Sequence, residues 1–201
     1  DARALPGVID IITRKEVEQE GVQPLVPAMT YPAPDGGEMP IGLFLPVAGD
    51  EVRHVGEPVA AIIAESREIA EEAADLILLD IEERPSVTDC IEAIRPDAPK
   101  VWPDRDSNEV FLFERGDRQA VDDAFARAAH VVEQRLRITR ITAVAMEPRA
   151  SLASYDAETG IYKLVHGAQS AHRQLPIMAS ILNIEPEKLH LVVSDTGGGF
   201  G

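Results

Sequence analysis

The chain has 201 residues, with 19 Lys and Arg against 35 Asp and Glu for a formal charge of −16, and a single cysteine. That length holds one large domain or two small ones, and the acidic balance argues against a surface that tracks nucleic-acid phosphates. One cysteine, Cys90, excludes an intramolecular disulfide and any cysteine-built zinc or iron–sulfur site within the chain.

In chain order, GVIDIIT (7–13) reads as a strand, and Thr13 can cap a short helical turn in TRKEV (13–17). Residues 21–50 carry six prolines and five glycines, a long irregular loop of the kind that is functional, disordered or covered by a partner. PVAAIIA (58–64) is almost wholly apolar and is expected to be a central strand covered on both faces. Gly56 and Pro58 set a turn into it, and the Glu57 carboxylate between them is expected to satisfy loop amides. Ser66 caps the next helix, where Ile69, Ala70, Ala73, Ala74 and Ile77 recur at helical spacing. LILLDIE (76–82) follows as a second strand, so strand, helix and strand make an α/β module.

From 86 to 116, Pro96, Pro99 and Pro103 fall among charged residues around one apolar patch, VFLF (110–113), and the stretch reads as a linker. Asp117 caps a further helix that carries Ala120, Val121, Ala124, Phe125 and Ala128 on one face and ends near His130. Residues 131–138 alternate as a half-solvated strand, with Val132, Leu136 and Ile138 on one side and Glu133, Arg135 and Arg137 on the other. Two strands, 150–155 and 161–166, flank DAETG, whose Asp156 and Gly160 supply the chemistry of a hairpin turn. Residues 170–183 are helical in pattern although Pro176 lacks an N–H, so the helix either kinks or has its main body begin there. A last strand, LHLVVS (189–194), leads into the glycines.

Those glycines carry most of the information. In SDTGGGFG (194–201) the missing Cβ atoms let backbone N–H groups close onto a bulky or anionic ligand. The loop also leaves the carboxyl end of a strand, where open α/β sheets place ligands. Gln169, in HGAQSAHRQ (166–174), stands just past another strand and offers two amide hydrogens and an acceptor oxygen; its plainer role is to cap nearby backbone. Glu147 in MEPR (146–149) reads as a structural carboxylate for Arg149 or for backbone amides. The five histidines form no HExxH pair that would hold zinc.

The order MEPR, then the AQ step at 168–169, then DTGGGFG resembles the molybdopterin-binding large subunit of the xanthine dehydrogenase, aldehyde oxidase and carbon monoxide dehydrogenase family. RHVGEPVAAIIAESREIAEEAADLILLDIEERPSV (53–87) is similar to that subunit's α/β hammerhead domain, so the likeness spans nearly the whole chain. The fold it implies is mixed α/β, of the α+β kind. An α/β hammerhead domain covers 1–88, a Pro-rich linker 89–116, and the opening β-hairpin and helices of a molybdopterin-binding domain 117–201.

By the same resemblance, Gln169 donates a hydrogen bond to an oxo ligand of molybdenum. Gly198, Gly199 and Gly201 let the main chain approach the pterin, and Phe200 lies beside the cofactor. The cofactor implied is molybdenum-molybdopterin, the cytosine dinucleotide form included, with 2Fe-2S and FAD on partner subunits or domains. The reaction implied is oxidation of an aldehyde, a purine or other N-heterocycle, or carbon monoxide, with electrons passing through an iron–sulfur small subunit and an FAD medium subunit of a hetero-oligomer. No catalytic base is assigned, because the family's catalytic glutamate lies beyond these residues.

Neither terminus reads as natural, so the chain is expected to be a fragment, inactive alone. No window approaches the roughly 20 apolar residues of a membrane span. DARALPGVID also lacks a secretory signal, so a soluble cytoplasmic protein without nucleic acid as partner is expected. A different class remains open: a non-catalytic assembly or anion-binding module using the GGGFG loop.

Overall fold

A computed structural model describes residues 1–139 and 141–200. Its first module pairs β1 (Val8–Ile12) with β2 (Ala61–Ala64) antiparallel, Val8 opposite Ala64 and Ile12 opposite Ala61, with a register shift between Val8 and Asp10. Helix α1 (Arg14–Gln19) starts where the sequence signals it: the Glu16 carboxylate reaches back to accept from the Thr13 N–H at 2.8 Å and from its hydroxyl. Helix α2 (Arg67–Asp75) is capped by Ser66, whose hydroxyl accepts from the Ile69 N–H. The core of this module is small, with Ala2, Ile11 and Ala73 buried and Leu5, Val8, Ala60, Ile62 and Ile77 packed around them.

Two expectations for this module fail together. Residues 58–64 are not a central strand covered on both faces: β2 lies in a two-stranded sheet, and Ile63 is exposed. Residues 76–82 form no strand, and Leu78 is 94% exposed. A strand exists only in a ladder that pairs its N–H and C=O groups, and among the described residues no strand pairs with 76–82. The expected strand–helix–strand unit is therefore a strand pair with a helix against it.

The stretch read as a linker is irregular but anchored. Besides α3 (Cys90–Ala93), which carries the exposed thiol of Cys90, it holds Trp102 edge-on to Phe44, with the Arg53 guanidinium 3.9 Å from the ring centroid. Tyr31 packs at a tilt against Phe111 and edge-on against Phe113, the Leu112 N–H donates to the Pro32 carbonyl at 3.1 Å, and Arg105 donates to that of Pro40 at 2.9 Å. The long loop 21–50 and the Pro-rich stretch thus cover each other. Glu57 meets its expectation by accepting from the Arg53 N–H.

Helix α4 (Arg118–Arg127) is capped by Asp117, which accepts from the Ala120 N–H at 2.9 Å; it ends at Arg127, short of His130, and Val121 and Phe125 on its apolar face are exposed. Residues 131–138 are in no ladder, contrary to the strand expected there, and Ile138 is 92% exposed. Alternation set the side chains' sides but found no neighbour to pair with among the described residues.

The second module follows its sequence signals closely. Strands β3 (Ser151–Asp156) and β4 (Ile161–His166) form an antiparallel hairpin. At its turn the Asp156 carboxylate accepts from the Glu158 and Thr159 N–H groups, and Gly160 takes φ +68°. Helix α5 (Ala171–Leu182) starts at Ser170, runs through Pro176 and ends at Asn183 in the left-handed conformation. It returns the chain to β5 (Leu189–Val192), which pairs parallel to β4, Leu164 opposite Leu191 and Val165 opposite Val192. Ala179 and Leu189 are buried where helix and strand meet. The modules touch where the Gln23 N–H donates to the Ile181 carbonyl at 2.7 Å.

Candidate functional site

Because β4 and β5 are parallel neighbours, the segments that follow them leave the sheet on the same carboxyl edge. One is the turn Gly167–Ala168–Gln169 into α5, the other Asp195–Thr196 and the glycine run. About thirty residues separate Gln169 from Gly199 in the chain, yet a Cβ built on Gly199 would overlap the Gln169 side-chain amide. Two motifs that the sequence presents separately are one site.

Each glycine at 197–199 has a specific neighbour where a Cβ would sit. A Cβ at Gly197 would overlap that of Glu147. At Gly198 it would come 2.9 Å from the Phe200 ring and 3.0 Å from the Ala145 methyl, and φ there is +140°, a conformation open to glycine almost alone. The close approach foreseen for the loop is therefore first an approach by the protein's own side chains. Phe200 takes φ +50° and is 78% exposed. Left-handed backbone is unusual for an aromatic residue, and here the exposed ring keeps one edge beside Gly198. Gln169 is likewise exposed, whereas Ala168 beside it is buried.

Two further contacts bind the loops together. The Thr196 hydroxyl donates to the Ala168 carbonyl at 2.8 Å, and the Glu147 carboxylate accepts from the Gly197 N–H. Of the two roles open to Glu147, the backbone amide is the one seen. Thr196 drew no notice in the sequence, since nothing local to a threonine indicates a carbonyl 28 positions away. Gly201, the last candidate, lies outside the described residues.

The site offers an exposed amide donor, the main chain of Gly198 to Phe200 and an exposed aromatic face. This set suits a large, flat ligand rich in acceptors. Among the described residues no group of three or more His, Cys, Asp and Glu could hold a metal ion. The Glu147 carboxylate on the first glycine amide sets a negative charge where a simple anion would need that N–H free, which counts against the anion-binding alternative.

A glycine loop and an amide brought together at the carboxyl edge of parallel strands define a ligand-binding module of the mixed α/β class. Residues 101–201 match the family model for the molybdopterin cofactor-binding domain, and residues 1–85 match that for the a/b hammerhead domain of aldehyde oxidase and xanthine dehydrogenase. The chain belongs to this family of molybdopterin-binding large subunits.

Among its relatives, the nicotine 6-hydroxylase large subunit of Paenarthrobacter nicotinovorans is 34% identical over 202 residues, covering 100% of this chain and 24% of that protein. Quinoline 2-oxidoreductase from Pseudomonas putida 86 superposes with a TM-score of 0.80 at 30% identity, over 100% of this chain and 25% of its own. Reconstituted CO dehydrogenase from Oligotropha carboxidovorans gives a TM-score of 0.81 at 26% identity, with the same coverage. The chain thus spans about a quarter of the length of the relatives it matches. No helix among the described residues is long and apolar enough to cross a membrane.

Proposed function

We propose that this chain supplies the front of the cofactor site in a molybdenum hydroxylase large subunit that oxidises an aldehyde, a purine or other N-heterocycle, or carbon monoxide. The observation that carries the reading is the seating of Gln169 on Gly199 at the carboxyl edge of β4 and β5, in a chain where both family models match in sequence order. Molybdenum-molybdopterin, the cytosine dinucleotide form included, supplies the two-electron oxidation of substrate carbon. Gln169 directs an amide hydrogen toward the metal's surroundings, where an oriented donor in a dry site counts for far more than in water. Gly198 and Gly199 would hold the pterin through main-chain contacts, and the exposed Phe200 would offer it an apolar face. Gly201 is a further candidate contact of the same ligand.

Electrons leave through 2Fe-2S and FAD groups on a small and a medium subunit, in a cytoplasmic hetero-oligomer. Residues 1–88 act as the hammerhead domain, 89–116 as the connection and 117–201 as the start of the cofactor domain. The remaining ligand contacts and the base come from elsewhere in the subunit, so these 201 residues alone bind no stoichiometric molybdenum.

Gln169→Ala in the cofactor-loaded subunit tests the reading. Turnover should fall about 10²- to 10³-fold, as for the loss of one catalytic donor elsewhere, while molybdenum content holds. Gln119→Ala on α4, an exposed residue whose amide donates to Asp123, should change neither. Turnover within threefold of the parent in Gln169→Ala would return Gln169 to a backbone-capping role.

A further inference from the structure

Segment 145–147 lies across the ends of both site loops. Besides accepting from the Gly197 N–H, the Glu147 carboxylate covers Gly167, where a Cβ would sit 3.0 Å from Oε1 and 3.2 Å from Oε2. Its own Cβ fills the space that a side chain at Gly197 would take, and the Ala145 methyl does the same at Gly198. One side chain therefore stands between a glycine of the β4–α5 turn and a glycine of the loop after β5. Those two glycines precede Gln169 and Phe200 respectively by only a few residues, so the position of Glu147 sets the distance between the amide and the aromatic ring.

We propose that Glu147 is a positioning residue that locks the glycine loop against the Gln169 turn. The clamp needs an acceptor oxygen at the end of a two-carbon stem. Alanine removes the acceptor and the packing over Gly167, and glutamine keeps both through its carbonyl oxygen. With the Thr196 hydroxyl bond the loop is held at two points, and Glu147 is the one nearer the glycines. That the clamped loop faces a molybdopterin rests on the function proposed above; the clamp itself does not.

Amide hydrogen exchange on the 201-residue chain, read residue by residue, tests it without cofactor. A backbone N–H donated to a charged acceptor is worth enough that Glu147→Ala should speed exchange at Gly197 by about tenfold or more, and Gly198 and Gly199 should follow. Leu164 and Leu191 in the β4–β5 ladder should stay within twofold, and Glu147→Gln should restore the loop to within threefold of the parent. Arg149→Ala, on the same segment, should leave all of them unchanged. The proposal is overturned if Glu147→Ala leaves Gly197 exchange unaltered, if the ladder loosens as much as the loop, or if glutamine fails to rescue. Failure of the molybdopterin reading would instead appear as turnover within threefold of the parent in Gln169→Ala, with the exchange result standing.

Discussion

Replacing Gly199 with alanine places a methyl group where the Gln169 amide now rests. The neighbour that must yield is the far end of a flexible, exposed side chain rather than backbone, and φ at Gly199 is not in the positive range that would exclude alanine. The fold should therefore lose little, about 1 kcal/mol or less, the cost of pushing one side chain to another rotamer. The site should lose much more. Displacing the amide by an ångström or more removes the same oriented donor that Gln169→Ala deletes, so turnover of the loaded subunit should fall about 10²- to 10³-fold. Since both changes act on one contact, Gly199→Ala combined with Gln169→Ala should be scarcely worse than either alone, a strongly non-additive cycle. Gly198→Ala provides the contrast: at φ +140° its backbone is strained by any Cβ, and it should cost about 1–3 kcal/mol of stability. Steady-state turnover, metal content and thermal unfolding of the four variants decide the matter. A Gly199→Ala enzyme with turnover within threefold of the parent, or a double variant whose loss equals the sum of the single losses, would refute the coupling.

The Glu16 carboxyl is brought from its ordinary 4.5 down to about 2, first by the Thr13 side-chain hydrogen bond and then by the Thr13 N–H. A depressed acid stabilises the fold fully above its unfolded value and loses that contribution as protons bind, so the urea midpoint should decline as pH falls from about 4.5 toward 2; Glu16→Gln should flatten that part of the profile, and an unchanged slope would remove Glu16 as its source. Limited proteolysis should cut the unpaired, exposed segments 76–82 and 131–138 before 100–113, because the latter is tied down by Trp102, Tyr31 and Arg105. Trp102→Ala should reverse that order, which mass spectrometry of the first fragments would show. Ser170→Ala should lower stability by about 1 kcal/mol through loss of the α5 cap, measured by chemical unfolding.

Features whose cause lies within a few residues were legible from the sequence alone. Thr13, Ser66 and Asp117 cap the helices they precede, Asp156 and Gly160 close the hairpin, and the glycines follow a strand, because capping, turn and periodicity forces act over one or two helical turns. The same local pattern misled at 131–138, where strand-like alternation has no ladder to enter among the described residues, and at 76–82 and 58–64, where an apolar run says nothing of how many strands flank it. Only the tertiary structure decided that β4 and β5 run parallel through the α5 crossover, and that pairing is what carries Gln169 to Gly199 and lets Glu147 reach Gly197, fifty positions away. Residue types with the right chemistry were visible along the chain; their convergence depends on backbone hydrogen bonds between distant strands, which no local spacing encodes.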